Sequence, residues 1–332
     1  MNQALPKLTV KDYASDQEVR WCPGCGDYAI LKTIQKLMPT FDQPKENQVF
    51  ISGIGCSSRF PYYMNTFGFH TIHGRAPAVA TGVKLANPEL DVWVITGDGD
   101  GFSIGGNHML HVLRRNVDLQ ILLFNNEIYG LTKGQYSPTS PPGTRSPSSP
   151  TGSIDFPLAP CVVAIGSGGT FIARTIDTQA KHLGAVVTRG HEHRGTSFIE
   201  ILQNCPIYND GIFNQVTDKK IAADFKVELV QGEPIVFGKE REWGIRLNHD
   251  SLNLEVVDAT SDDVLIHDET NKVLATLLAT MKGPDLPVAV GVIYSEEKPS
   301  YVDDSQQQLI SIRKAKGSMT ELLHSGHTWE VE

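Results

Sequence analysis

Two kinds of residue in this chain have the types and spacing to do chemistry: polar residues that close apolar runs, and cysteines. Gly97-Asp98-Gly99 ends one apolar run and Asn125-Asn126 ends the next. Magnesium takes hard oxygen ligands in octahedral geometry and usually keeps water and substrate phosphates among them. The Asp98 carboxylate, the Asn126 amide oxygen and the Ile128 carbonyl match the protein share of such a site, while Gly97 and Gly99 let the backbone turn sharply and approach a phosphate. Gly-Asp-Gly alone is short enough to be an ordinary turn. The paired asparagines at the next run's end favour a site for a metal diphosphate. Of the five cysteines, Cys22 and Cys25 form a Cys-x-x-Cys turn, and Cys205 precedes Pro206. In a reducing compartment such residues are more often thiols or metal ligands than disulfides. Cys22 and Cys25 by themselves suit zinc, a redox pair or an iron-sulfur ligand set.

The elements that must position these groups follow from hydrophobic periodicity. Asp91 to Thr96 reads as a buried strand, Phe102 to Arg115 as a helix with apolar Ile104, Met109, Leu110 and Leu113 at helical spacing, and Leu119 to Phe124 as a second strand. A right-handed crossover between parallel strands brings Asp98 and Asn126 to the same sheet edge. Cys56 follows a strand over Val49 to Ile54, and Cys205 follows one over Ser197 to Leu202, so both reach that edge. The Cys22/Cys25 turn precedes an amphipathic helix, Tyr28 to Met38. Four thiolates converging there satisfy a 4Fe-4S cluster or a structural zinc equally well. Cys161 opens an expected strand, Cys161 to Ile165, as a small buried residue.

Ser57 and Ser58 offer hydroxyls after the first strand, and Gly74-Arg75-Ala76 leads into a small-residue helix, Pro77 to Ala86, whose N-terminus suits an anion. Tyr136 to Pro157 contains six prolines and reads as a long irregular loop, a lid or a subunit contact. Gly166 to Gly169 is expected as a strand-to-helix turn before a helix over Phe171 to Leu183. His191-Glu192-His193 falls in a loop after that helix and is not expected to bind metal. Beyond Tyr208, strands near Pro234 to Phe237, Leu254 to Val257 and Val288 to Ile293 accompany a helix from Asn271 to Met281. The fold class is α/β: a central mostly parallel sheet flanked by helices, with residues 1–210 as cofactor core and 211–332 as a C-terminal extension at a subunit interface.

With 332 residues, 40% of them hydrophobic, the chain buries one large core and a smaller one. A net charge of -9 without a long Lys/Arg run argues against a nucleic-acid partner. Met1 to Arg20 lacks the apolar centre of a signal peptide, and no run approaches a membrane span. A soluble, cytoplasmic protein is expected.

Taken together, Gly97-Asp98-Gly99 with Asn125-Asn126, Trp21-Cys22-Pro23-Gly24-Cys25-Gly26, Gly55-Cys56-Ser57-Ser58-Arg59, His73-Gly74-Arg75-Ala76, Gly130-Leu131-Thr132-Lys133-Gly134-Gln135 and Cys205-Pro206 resemble the thiamine diphosphate-binding β subunit of 2-oxoacid:ferredoxin oxidoreductases. The Gly130 to Gln135 stretch is most similar to the 2-oxoglutarate type. The resemblance implies the thiamine diphosphate-binding fold, magnesium at Asp98, Asn126 and Ile128, and one 4Fe-4S cluster on Cys22, Cys25, Cys56 and Cys205. Iron is implied over zinc because zinc beside the cofactor has no redox role. Cofactor contacts are implied at Ser57, Ser58, His73, Gly74, Arg75, Gly97, Gly99, Asp100, Gly130 and Leu131.

The implied reaction takes 2-oxoglutarate, coenzyme A and oxidised ferredoxin to succinyl-coenzyme A, carbon dioxide and reduced ferredoxin, reversibly, by thiamine ylid attack, decarboxylation and one-electron oxidation through the cluster. A dicarboxylic substrate needs a cation for its distal carboxylate once water leaves. Lys133 and Arg59 are the candidates, with Leu131 shaping the pocket. No motif here supplies the glutamate that activates thiamine, and Glu127 lies too near the metal end. The resemblance therefore implies an α subunit, in an α2β2 assembly or similar, bringing that glutamate and much of the coenzyme A site. The rival readings are a pyruvate or broad-specificity relative, a non-redox thiamine decarboxylase or carboligase with no use for four cysteines, and a zinc-stapled structural subunit with no use for the metal-diphosphate site.

Overall fold

The computed structural model describes residues 8–313 and 317–331, so the first seven residues of the Met1 to Arg20 segment lie outside it. Helix α1 (Asp27–Leu37) precedes strands β1 (Gln48–Ser52) and β2 (Phe67–His70), helix α2 (Ala76–Ala86) and strand β3 (Asp91–Gly97). Helix α3 (Gly106–Arg115) then crosses to β4 (Leu119–Asn125), followed by α4 (Pro160–Gly166), β5 (Phe171–Ile176), α5 (Ala180–Glu192) and β6 (Thr196–Leu202). A π-helical turn, Asp100–Ile104, separates β3 from α3.

The eight-stranded sheet has the order β2-β1-β3-β4-β6-β5-β11-β7, its last two strands being β11 (Val288–Ser295) and β7 (Lys226–Leu229) from the C-terminal part of the chain. Every pair from β2 to β5 is parallel. Neighbouring strand ends are level: Gly97 pairs with Phe124, and Asn125 with Leu202. The residues after β1, β3, β4 and β6 therefore emerge side by side at one edge, where ligands of open α/β sheets bind. Alternate side chains feed opposite faces: Ile51, Val94, Ile121 and Phe198 belong to one core layer, and Phe50, Trp93, Leu122 and Ile199 to the other.

Beyond β6 come short helices α6 (Asn214–Thr217) and α7 (Ala222–Phe225), strand β7 (Lys226–Leu229), a three-stranded sheet of β8 (Val236–Phe237), β9 (Trp243–Leu247) and β10 (Leu254–Asp258), helix α8 (Lys272–Thr280), strand β11 (Val288–Ser295), and helices α9 (Tyr301–Ile312) and α10 (Met319–Leu323). Strand β11 pairs antiparallel with β5 and parallel with β7, so residues beyond 210 also build two strands of the main sheet.

Two expected elements are corrected. Cys161 to Ile165 lies in helix α4, not a strand, with Pro160 at its first turn and Cys161, Ala164 and Ile165 buried at helical spacing. A five-residue apolar run does not separate helix from buried strand by periodicity, and proline is favoured at a helix start. Phe171 to Ile176 is correspondingly the strand, so Gly166 to Gly169 joins helix to strand, and the helix expected to end at Leu183 runs from Ala180 to Glu192. His191 and Glu192 thus lie in α5, not in a loop. His191 stacks on Phe41, 3.9 Å between ring centroids, while His193 Nε2 lies 2.8 Å from Thr170 Oγ1.

Between β5 and β6 lies a buried ion pair. Arg174 Nε donates to Glu200 Oε2 at 2.7 Å, and Glu200 also accepts from Asn125 Nδ2 at 2.7 Å and the Cys161 thiol at 3.1 Å. Burial opposes the Glu200 charge, but Arg174 and these hydrogen bonds outweigh it and hold the carboxyl below its usual pKa. Glu200→Gln leaves the Arg174 charge buried and unpaired, so a loss of about 3–5 kcal/mol is expected in urea unfolding of the purified chain.

Candidate active site

One cavity at the carboxyl edge gathers most of the candidate residues. Ser57, His73, Gly97, Asp98, Gly99, Asp100, Asn126, Ile128, Gly130 and Leu131 line it, and so does Cys56. Asp98 is buried, and burial pushes its pKa up to about 6 against the lowering effect of hydroxyl donors from Ser137 and Thr139. A carboxylate so desolvated has an electrostatic deficit that a cation would satisfy. Asn126 Oδ1 accepts from Ile128 N at 3.2 Å, which ties the two further oxygen donors into one tight turn. Glu127 between them holds a left-handed φ of +55°. Hard oxygens from Asp98, Asn126 and Ile128 fit magnesium.

Several candidates have duties other than a direct cofactor contact. Asp100 Oδ1 accepts from Ile54 N at 3.0 Å and Gly74 N at 2.7 Å, and Oδ2 accepts from Thr96 Oγ1 at 2.6 Å, so this carboxylate stitches the end of β1 to the His73-Gly74 turn. His73 Nδ1 lies 2.6 Å from Asp100 Oδ1 without hydrogen-bond geometry. Arg75 donates to the carbonyls of His73 and Ile104, both at 3.3 Å. Gly99 is demanded by packing: a Cβ there would sit 2.2 Å from the Tyr129 ring, whose hydroxyl donates to Gly99 O at 3.1 Å. Ser58, Gly74, Arg75, Arg59 and Lys133 do not line the cavity. Arg59 Nε donates to Tyr63 Oη at 2.9 Å. Lys133 is exposed on the loop whose Leu131 and Thr132 do line it.

The cysteines assemble around the same edge. All five are free. A Cβ on Gly130 would lie 3.4 Å from Cys56 Sγ and 3.6 Å from Cys205 Sγ, which puts both sulfurs on one side of the loop after β4. The Cys22/Cys25 turn folds onto the end of β6 through Gly26 N to Asn204 O at 3.2 Å, and Trp21 Nε1 donates to Cys56 O at 2.7 Å. Burial pushes the Cys56 thiol up to about 12 and raises Cys25 further, with neighbouring thiols and Asp27 adding to both. Buried thiols of this kind reach the thiolate state when bound iron or zinc supplies positive charge. Among the described residues, no three His, Cys, Asp or Glu side chains close round a single ion. The donor set, four thiols from three segments, fits the ligand count of a 4Fe-4S cluster.

Two lining residues escape sequence reasoning. Gln203 accepts from Asn126 Nδ2 at 2.9 Å and donates to Cys25 Sγ at 3.3 Å, so it links Asn126 to the Cys22/Cys25 turn. Its place two residues before Cys205, at the end of β6, was the available signal. Asp27 is buried with both carboxylate oxygens unpartnered, and burial raises its pKa to about 7. Its sequence signal was adjacency to the Cys-x-x-Cys-Gly turn.

Residues 53–201, which include Asp98, Asn126 and Ile128, match the family of thiamine pyrophosphate enzymes at their C-terminal TPP binding domain. The chain is 48% identical over 330 residues to the 2-oxoglutarate oxidoreductase subunit KorB of Mycobacterium tuberculosis, covering 97% of this chain and 88% of that one. It is 38% identical to the 2-oxoacid:ferredoxin oxidoreductase subunit beta of Saccharolobus solfataricus, over 84% and 92% of the two chains. Its structure superposes on the 2-oxoglutarate:ferredoxin oxidoreductase of Magnetococcus marinus, solved with 2-oxoglutarate, coenzyme A and succinyl-CoA bound, with a TM-score of 0.78 and 31% identity over 97% of this chain and 96% of that one. The fold is that of a thiamine diphosphate-binding oxidoreductase. The chain belongs to the 2-oxoacid:ferredoxin oxidoreductase β subunits, on the 2-oxoglutarate side of that family.

Proposed function

We propose that this chain, with an α subunit, converts 2-oxoglutarate, coenzyme A and oxidised ferredoxin reversibly to succinyl-coenzyme A, carbon dioxide and reduced ferredoxin. The observation that carries this reading is one cavity lined by both the cation-site residues and Cys56, with Cys205 beside Gly130 at its rim. When bound, thiamine diphosphate supplies the electron sink for decarboxylation, and a 4Fe-4S cluster supplies the electron acceptor.

The chain's own part is positional. Asp98, Asn126 and the Ile128 carbonyl hold magnesium on the diphosphate, with Ser57 and the Gly97 turn facing the phosphates. Cys22, Cys25, Cys56 and Cys205 hold the cluster within reach. Lys133, on the exposed loop at the mouth, pairs with the distal carboxylate of the oxoacid, and Leu131 walls the pocket. Arg59 is the weaker candidate because its Nε is engaged with Tyr63.

Glu127 does not activate the thiamine ring, since Lys282 Nζ holds its carboxylate at 2.9 Å and it is absent from the cavity wall. That role falls to the α subunit. Exposed Ile310, Ile312, Leu322, Leu323 and Trp329 on and after α9 and α10 suit residues 211–332 to a subunit interface, because isolated subunits seldom leave so much apolar surface uncovered. No helix among the described residues is long and apolar enough to cross a membrane, and we place the enzyme in the cytoplasm.

Iron and acid-labile sulfide analysis of the anaerobically purified protein, with electron paramagnetic resonance after reduction, tests the proposal. About four irons and four sulfides per chain and a reducible signal support it. Zinc in their place would leave a non-redox thiamine enzyme or a stapled subunit. The chain purified without its partner is expected to show no 2-oxoglutarate-dependent reduction of ferredoxin, and turnover at the rate of the assembled enzyme would remove the need for an α subunit.

A further inference from the structure

The proline-rich segment Tyr136 to Pro157 turns back under the cation site at its first residues. Ser137, Thr139 and Ser140 are each at most 3% exposed. Ser137 Oγ donates to Asp98 Oδ2 at 2.5 Å and Thr139 Oγ1 donates to the same oxygen at 2.6 Å. Thr139 Oγ1 also lies 3.1 Å from Asn125 Oδ1. Ser140 Oγ accepts from Ser137 N at 2.7 Å and donates at 2.5 Å to the carbonyl of Glu127, the residue between Asn126 and Ile128. One four-residue stretch thus grips the ends of both β3 and β4.

We propose that Ser137, Thr139 and Ser140 are positioning residues that select magnesium by fixing how the site presents its oxygens. This rests on the assignment of Asp98, Asn126 and Ile128 as cation donors. Two hydroxyls on Oδ2 occupy that oxygen's lone pairs, so Asp98 has only its other oxygen for a cation and binds through one atom. Magnesium demands near-octahedral geometry at short distance, whereas calcium accepts more oxygens and a carboxylate bound through both. A carboxylate restricted to one oxygen favours the smaller ion. Ser140 acts on the other side of the site, on the left-handed backbone of Glu127 that lies between Asn126 and Ile128. Its hydrogen bond to the Glu127 carbonyl keeps that uncommon turn in place.

The test uses metal-stripped assembled enzyme with thiamine diphosphate, titrated separately with magnesium and calcium, and reads cofactor retention. In a Ser137→Ala/Thr139→Val double variant, half-saturating magnesium is expected to rise about 10-fold, the scale at which outer-shell partners of a metal ligand are felt. Half-saturating calcium should move much less, so the ratio of the two rises several-fold. Thr139→Ser, which keeps the hydroxyl, should retain the wild-type ratio. General loosening would weaken both ions alike, and an unchanged ratio overturns the proposal. Should the double variant not fold, Ser137→Ala alone decides it: a smaller rise in the same ratio supports the clamp, and none rejects it. If Asp98→Ala leaves the magnesium requirement intact, the cation-site assignment itself fails, independently of the clamp.

Discussion

Cys205→Ala is expected to strip the assembled enzyme of its reducible iron signal and to lower 2-oxoglutarate-dependent ferredoxin reduction by at least about 100-fold, as loss of an essential group does. Cys205 is buried, and its sulfur faces Gly130 alongside Cys56. No other described cysteine can replace it, because Cys161 is buried in α4 with its thiol on Glu200, under the sheet. The remaining three thiols leave one iron of a cluster without its protein ligand. Thiamine diphosphate and magnesium binding should survive, since Asp98 and Asn126, the side chains assigned to the cation, follow β3 and β4. Anaerobic iron analysis, paired with cofactor retention on the same sample, separates the outcomes. A variant that keeps ferredoxin reduction would show that electrons leave by another route. One that loses only thermal stability would point to a zinc staple.

The sequence was most legible where one residue type had one physical reason to be there. Strands β1, β3, β4 and β6 are mostly apolar runs followed within a few residues by Gly, Asn or Cys, so both their existence and the edge they share follow from periodicity and the parallel crossover rule. The segment from Cys161 to Ile176 was not legible, because two short apolar runs flank a glycine turn and either order of helix and strand fits them. Tertiary packing decided it: Cys161, Ala164 and Ile165 meet the core at helical spacing, and Phe171 to Ile176 fills the slot between β6 and β11. Site residues divided similarly. Asp98 and Asn126 carry a chemical reason in their own side chains. Asp100, Gln203, Ser137 and Thr139 act through partners far away in sequence, which no local pattern reveals. The close spacing of Asp98 and Asp100 hides a division of labour, with the first carboxylate assigned to a cation and the second binding the protein to itself.

Asp98→Asn is expected to act with opposite signs on binding and on stability. Removing a charged oxygen ligand should weaken magnesium-dependent retention of thiamine diphosphate by at least about 100-fold, because outer-shell changes alone cost 10–100-fold in metal affinity. In the metal-free chain, however, the Asp98 carboxylate is a liability. Burial raises its pKa from 3.8 to about 6, so the folded chain holds the proton more tightly than the unfolded chain. The stabilisation tied to that proton is fully present below the unfolded value and is lost as pH rises through about 6. At pH 7 the ionised group therefore destabilises the metal-free fold by about 2–3 kcal/mol, at 1.36 kcal/mol per pKa unit. Asparagine is neutral at every pH and keeps an oxygen to accept from Ser137 and Thr139. Metal-free Asp98→Asn should thus unfold at higher denaturant than wild type at pH 7, and the gap should close toward pH 4. With magnesium and thiamine diphosphate present the order should reverse, since ligand binding stabilises only the chain that binds it. Equal stability of the two metal-free chains across this pH range would mean that the cavity hydrates Asp98 well enough to carry its charge unaided, and the electrostatic reason for a cation there would be gone.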